Sequence, residues 1–224
     1  MDSRNTAPAP RLALWTCVAV MAALVVAAAV AVAPRPAPRF HGTTYTEVLP
    51  AGEFALTDHD GRAVTLRSYR GAPVLLFFGY THCPDVCPLT LDKLSRALRT
   101  AGRGASDVRI LMVTLDPARD TPAALQAYAR RFGPAVVGLT GDSAALAGAR
   151  KGYGAYLAEV PAQPAFHAHA TDGAQRAAEA APAMRMVHPG AVYGIDRRGN
   201  LQVVISDGAT PQQVVDDVRT LARL

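Results

Sequence analysis

Residues 73–90 read PVLLFFGYTHCPDVCPLT, and the reading of the rest of the chain follows from them. The first seven, 73–79, are an apolar run rich in β-formers and too short for a stable helix. That pattern fits a strand buried on both faces. Leu89, Leu91, Leu94 and Leu98 then recur at helical spacing up to Gly102. Cys83 and Cys87 stand between strand and helix, four residues apart. The spacing predicts both in a first helical turn with their sulfurs on one face. Unpaired N–H groups and the positive dipole end at that point lower a thiol pKa toward the thiolate.

The same rules read outward from this junction. Residues 53–66 form a hairpin pattern: Phe54 and Leu56, a turn at Asp58-His59-Asp60-Gly61, then Val64 and Leu66. Residues 108–115 and 135–139 are further buried strands. Thr121 and Pro122 are the cap and first residue of a helix carrying Leu125, Tyr128 and Phe132. Asp142 or Ser143 caps another, with Leu146 inside it. Residues 191–195 and 201–205 flank a turn at Asp196-Arg197-Arg198-Gly199-Asn200, and Thr210-Pro211 opens a last helix with Val214, Val215, Val218 and Leu221. Strands alternating with helices, then a closing hairpin and helix, predict a three-layer α/β domain. Residues 161–185 (PAQPAFHAHATDGAQRAAEAAPAMR) break the pattern. They are Ala/Pro-rich with little periodicity and read as a long mobile insertion.

Composition bounds the class. The chain has 224 residues, 50% hydrophobic, 18% charged and 6% aromatic, with 44 Ala. That excludes a disordered chain, a collagen and a coiled coil. The formal charge of +5 is partly a property of the first 39 residues, which hold four Arg and one Asp; the remainder carries +2. No Lys/Arg patch is interleaved with aromatics, so nucleic acid is not an expected partner.

Residues 12–33 hold 22 positions without a charge. As a helix they span ~33 Å, about one hydrocarbon core. The run is longer than a signal-peptide core, and Pro34 follows it where a cleavage would fall. The expected organisation is a cytoplasmic tail at 1–11, one transmembrane helix at 12–33, a Pro-containing tether at 34–50 and a globular domain at 51–224. That domain lies on the extracytoplasmic side of the cell membrane. Cys17 reads as a residue of the membrane helix.

Two thiols at a helix start have three uses: a structural disulfide, a redox dithiol or a soft-metal site. A disulfide over so short a loop constrains little chain. Two thiolates leave a metal undercoordinated, and His188, just before the strand at 191–195, is the best third ligand. Sulfur favours Cu(I), and a Cys2His set also accepts Cu(II); zinc would want a fourth ligand. His167 and His169 form an alternative His-x-His pair inside the insertion. Asp116 ends a central strand, where it tunes the site, meets a partner or caps the turn at Pro117. Asp85 reads as support for the helix N-terminus, and His82 adjoins Cys83.

Residues 79–88, GYTHCPDVCP, resemble the signature of the Sco/SenC family of copper chaperones, and residues 113–122, VTLDPARDTP, resemble its second motif. The order of elements also matches over roughly residues 50–222. The resemblance implies a thioredoxin-like fold behind a membrane anchor. It also implies copper bound by Cys83, Cys87 and His188, and delivery of that copper to the dinuclear centre of cytochrome c oxidase subunit II. Val187 and Pro189 flank His188 where the family usually has Asp and Ser. The expected function is a metallochaperone rather than a turnover enzyme. The alternative is a thiol–disulfide oxidoreductase that reduces the acceptor cysteines, with Cys83 and Cys87 as the redox pair. Other copper chaperones and a thioredoxin-like reductant are the remaining expected partners.

Overall fold

The computed structural model describes residues 10–32, 38–155, 157–159, 184–186 and 190–224, with side chains over 14–29, 38–155 and 190–224. The chain divides into two compact units, Met1–Pro38 and Arg39–Leu224.

In the first unit, α1 (Pro10–Val32) is a helix of 23 residues. Its described apolar side chains, among them Leu14, Trp15, Met21 and Leu24, are exposed. Among the described residues no helix is long and apolar enough to cross a membrane.

The second unit contains, in chain order, β1 (Leu49–Pro50), β2 (Ala55–Asp58), β3 (Ala63–Thr65), β4 (Val74–Gly79), α2 (Val86–Ala101), β5 (Arg109–Thr114), α3 (Pro122–Arg130), β6 (Val136–Thr140) and α4 (Ser143–Gly152). There follow β7 (Leu157–Glu159), β8 (Met184–Met186), β9 (Val192–Ile195), β10 (Asn200–Ile205) and α5 (Pro211–Leu221). One eight-stranded sheet has the order β1-β10-β9-β4-β5-β6-β2-β3. β4, β5 and β6 are parallel neighbours, and every other pairing is antiparallel. The predicted N-terminal hairpin, β2–β3, extends the sheet beyond β6 through Thr57↔Thr140.

All six residues of β4 are buried, as its unbroken apolar run requires. Successive side chains of a strand point to opposite faces. Leu75 and Phe77 pack with Leu91 and Leu94 of α2, Leu125 of α3 and Val214, Val218 and Leu221 of α5. Leu76 and Phe78 pack on the other face with Leu56, Leu139, Leu146 of α4, Tyr153 and Tyr193. This is the expected three-layer α/β arrangement. Capping follows the sequence chemistry: Thr121 accepts from the Ala124 N–H at 3.3 Å and Asp142 from that of Ala145 at 2.7 Å. Thr210 and Gln213 form a capping box at α5.

Two features differ from the sequence reading. Met184 and Arg185, assigned there to the insertion, belong to β8, which pairs antiparallel with β7 through Leu157↔Met186. Three-residue strands carry too little periodicity to be recognised; the rest of the insertion up to residue 183 lies outside the described residues. The second feature is at the end of the Pro-containing segment. Buried Asp217 accepts the N–H groups of His41 at 2.7 Å and Gly42 at 3.1 Å, and Thr43 bridges Val204 of β10. The domain therefore gathers in the chain from Arg39 onward.

Candidate metal centre

β4 and β5 end side by side, with Gly79 opposite Thr114. The Leu115 N–H donates to the Gly79 carbonyl at 2.9 Å. Both motif loops leave the sheet here, at the carboxyl ends of adjacent parallel strands, where open α/β sheets hold ligands.

The first loop turns tightly. The Cys83 N–H donates to the Tyr80 carbonyl at 3.2 Å, and α2 starts at Val86 with Asp85 as its N-cap residue. Pro88 lies in the first turn, where a missing N–H costs nothing. The expectation that both cysteines sit in the helix is therefore corrected: Cys87 does, and Cys83 precedes it. The pair still meets: the Cys87 N–H donates to the Cys83 Sγ at 3.4 Å, and the two thiols hydrogen-bond each other. Asp85 makes no side-chain cap hydrogen bond. The Cys83 sulfur takes a helix N–H in its place.

The two thiols have opposite characters. Burial pushes the Cys83 thiol up, but the N–H groups of Cys87 and Asp85 outweigh it. With the Cys87 thiol and the Tyr80 hydroxyl they leave Cys83 below its ordinary value. Cys87 is 6% exposed, and burial pushes it up to about 12, the Cys83 and Asp120 charges adding to the effect. The predicted lowering thus holds for Cys83 and fails for Cys87. A helix terminus stabilises a thiolate only where burial does not cost more. Both cysteines, like Cys17, are free thiols.

Asp120 is the support that the sequence reading missed. It is 0% exposed and accepts the Thr81 N–H at 3.1 and 3.3 Å. It also accepts the Thr81 and Thr114 hydroxyls, each at 2.5 Å. One carboxylate thereby ties the loop before Cys83 to the end of β5. The signal was a second Asp within the Asp116–Pro122 motif, four residues after the one singled out. Asp116 itself resolves to the turn: its carboxylate pairs with Arg119 at 2.5 Å, and its N–H donates to the Thr114 hydroxyl at 3.0 Å. Tyr128 of α3 is buried in the core, and its hydroxyl has no partner among the described residues. Burial and the Cys87 and Cys83 charges raise its pKa to about 12, so it lies within electrostatic reach of both thiols.

His188, His167 and His169 lie outside the described residues. Among the described residues no group of three His, Cys, Asp or Glu is placed to hold a metal ion. The structure brings together the predicted pair Cys83 and Cys87, with Tyr80 against Cys83.

Fold and site define a thioredoxin-like domain with an unequal thiol pair where a central strand gives way to a helix. Residues 43–223 match the sequence profile of SCO1/SenC, and the chain belongs to that family. Among solved structures, that of Bradyrhizobium japonicum ScoI with copper bound is 36% identical. It covers 77% of this chain and 99% of its own, with a TM-score of 0.60. Yeast Sco1 with copper bound is 28% identical over 76% of this chain and 86% of its own, at a TM-score of 0.59. The mitochondrial SCO2 homologue of Bos taurus is 43% identical over 112 residues, 49% of this chain. The chain spans about two fifths of the length of such curated relatives, 42% for this one.

Proposed function

We propose that this chain is a membrane-anchored copper metallochaperone. It binds one Cu(I) through Cys83, Cys87 and His188 and delivers copper to the dinuclear centre of cytochrome c oxidase subunit II. The observation that carries the reading is the cysteine pair of a SCO1/SenC domain, in which the Cys87 N–H reaches the Cys83 Sγ at 3.4 Å and the two thiols hydrogen-bond each other. Two sulfurs at one point, one of them half-exposed, suit a soft monovalent ion. The likeness to ScoI with copper bound supports the same cargo. A Cys2His set also accepts Cu(II). His188 enters as the third ligand through the family resemblance and through its place just before β9.

The anchor belongs to this proposal. Residues 12–33 carry no charge, and α1 is apolar on every described side. A helix without a polar face is buried in a large core or in a membrane, and α1 belongs to a unit separate from the domain core. The globular domain, which begins at Arg39, then stands on the extracytoplasmic side, with the Pro-containing residues up to 38 as its tether.

The inequality of the two thiols favours a second reading, reduction of the acceptor cysteines. A low-pKa, accessible Cys83 is the attacking thiolate in thiol–disulfide exchange, and a buried Cys87 resolves the mixed disulfide. His188→Ala separates the two, since it removes a copper ligand and keeps both thiols. In a strain lacking the native protein, at matched expression and limiting copper, His188→Ala is expected to lose oxidase activity nearly as severely as Cys83→Ser. Normal oxidase with His188→Ala, also when His167 and His169 are replaced, would overturn the chaperone reading in favour of the reductase.

A further inference from the structure

Of the three described histidines, His82 differs from the other two. The His59 Nδ1 accepts the Gly138 N–H at 3.0 Å, so its proton sits on Nε2, which faces Asp60 at 3.9 Å. His41 faces Asp216 through Nε2 at 3.8 Å. His82 is oriented from the opposite side of its ring. Its Nδ1 lies 3.0 Å from the Thr81 Oγ1 and 3.9 Å from the Asp120 Oδ1.

The proton positions follow from donor counting. A carboxylate only accepts, so each hydroxyl that meets Asp120 spends its single proton there. The Thr81 hydroxyl does so at 2.5 Å, as does that of Thr114, whose oxygen takes the Asp116 N–H. Toward His82 the Thr81 oxygen is left as an acceptor. His82 must therefore donate from Nδ1, and in a neutral imidazole the other nitrogen, Nε2, then carries a bare lone pair. That nitrogen makes no hydrogen bond among the described residues, on a side chain 55% exposed. Metal-ligating histidines are built in this way: the far N–H is held by a carboxylate or other acceptor, which fixes the tautomer and raises the basicity of the free nitrogen. The next residue is Cys83, the more accessible thiol, one Cα–Cα step of ~3.8 Å away.

We propose that His82 is a capture ligand for Cu(I), a foothold over which the ion passes between a partner and the Cys83–Cys87 pair. Asp120, acting through Thr81, is its positioning residue. The proposal rests on the copper reading of the two cysteines. The step is a ligand exchange: a Cu–N bond to His82 Nε2 gives way to a Cu–S bond at Cys83, the thiol proton leaves to water, and copper stays Cu(I). Since His82 is released at the end, it sets rates and leaves the final affinity alone.

Two measurements on the full chain test this. Long-range proton–nitrogen correlation of the copper-free protein is expected to show the Nδ1–H tautomer at His82, lost in Thr81→Val. Stopped-flow uptake of Cu(I) from its bicinchoninate complex is expected to slow about tenfold in His82→Gln and in Thr81→Val, the scale of lost supporting contacts at metal ligands. Equilibrium affinity is expected to stay unchanged in His82→Gln. An Nε2–H tautomer in the wild type, or unchanged uptake in His82→Gln beside a wild type that loads normally, overturns the proposal alone. A wild-type chain that takes up no Cu(I) overturns the copper reading and the proposal with it.

Discussion

Gly79 and Cys87 are packed so closely that a β-carbon on residue 79 would stand 2.9 Å from the Cys87 sulfur and 3.0 Å from Phe77 Cε2. Glycine here is a requirement of the site rather than of the strand, because the last residue of β4 shares its space with a thiol. Gly79→Ala is expected to cost about 1–3 kcal/mol of stability, the range for overpacking a filled interior. It should also weaken copper binding by displacing one sulfur. Urea denaturation and Cu(I) competition measure the two effects. An unchanged midpoint with unchanged affinity would show that Cys87 moves aside freely.

Much of this arrangement is legible in the sequence, for physical reasons. The strand at 74–79 and helix at 86–101 carry strong patterns because each buries a full face, and Thr121, Asp142 and Thr210 cap through local chemistry. The cysteine pair is legible because its motif is dense and specific. Asp120 is not, since its partners Thr81 and Thr114 come from two other elements and meet it only in the folded chain. The opposite shifts of Cys83 and Cys87 escape for the same reason: spacing gives proximity to a helix end, while burial depends on the whole domain. Two-residue β1 pairs with β10 through backbone groups and leaves no side-chain period to read.

Asp120→Ala leaves Thr81 and Thr114 without the acceptor they share and is expected to cost about 3 kcal/mol, as for buried hydrogen bonds to a charged group. Asp116→Ala removes a partly exposed ion pair with Arg119 and is expected to cost less than about 1 kcal/mol. Chemical denaturation of the two variants measures the difference. Equal losses would contradict the assignment of Asp120 as the tie between the motif loops.

The thiol shifts act in opposite senses with pH. Cys83 is lowered, so its thiolate forms first; its contribution to stability is present at high pH and lost as pH falls through its folded value. Cys87 is raised from 9.0 to about 12, so its contribution is present below pH 9.0 and lost as pH climbs through about 12. Iodoacetamide labelling followed by mass spectrometry is expected to modify Cys83 first, at lower pH than an ordinary thiol, and to spare Cys87 until the chain unfolds. Copper must displace the Cys87 proton, so Cu(I) affinity is expected to rise with pH between 6 and 8. Prior labelling of Cys87, or an affinity flat across that range, would contradict the account.

The proposed topology predicts that protease added to intact spheroplasts digests the domain beyond residue 34. Full protection would reverse the orientation. A mature N-terminus near Pro34 would mean a cleaved leader in place of an anchor.

The most direct test of the central claim is copper-edge X-ray absorption of the full chain loaded with one equivalent of Cu(I). The account predicts two sulfur neighbours and one imidazole nitrogen. Cys83→Ser should lose a sulfur, His188→Ala the nitrogen, and Cys17→Ser nothing. A spectrum without sulfur, or one unchanged in Cys83→Ser, would contradict it.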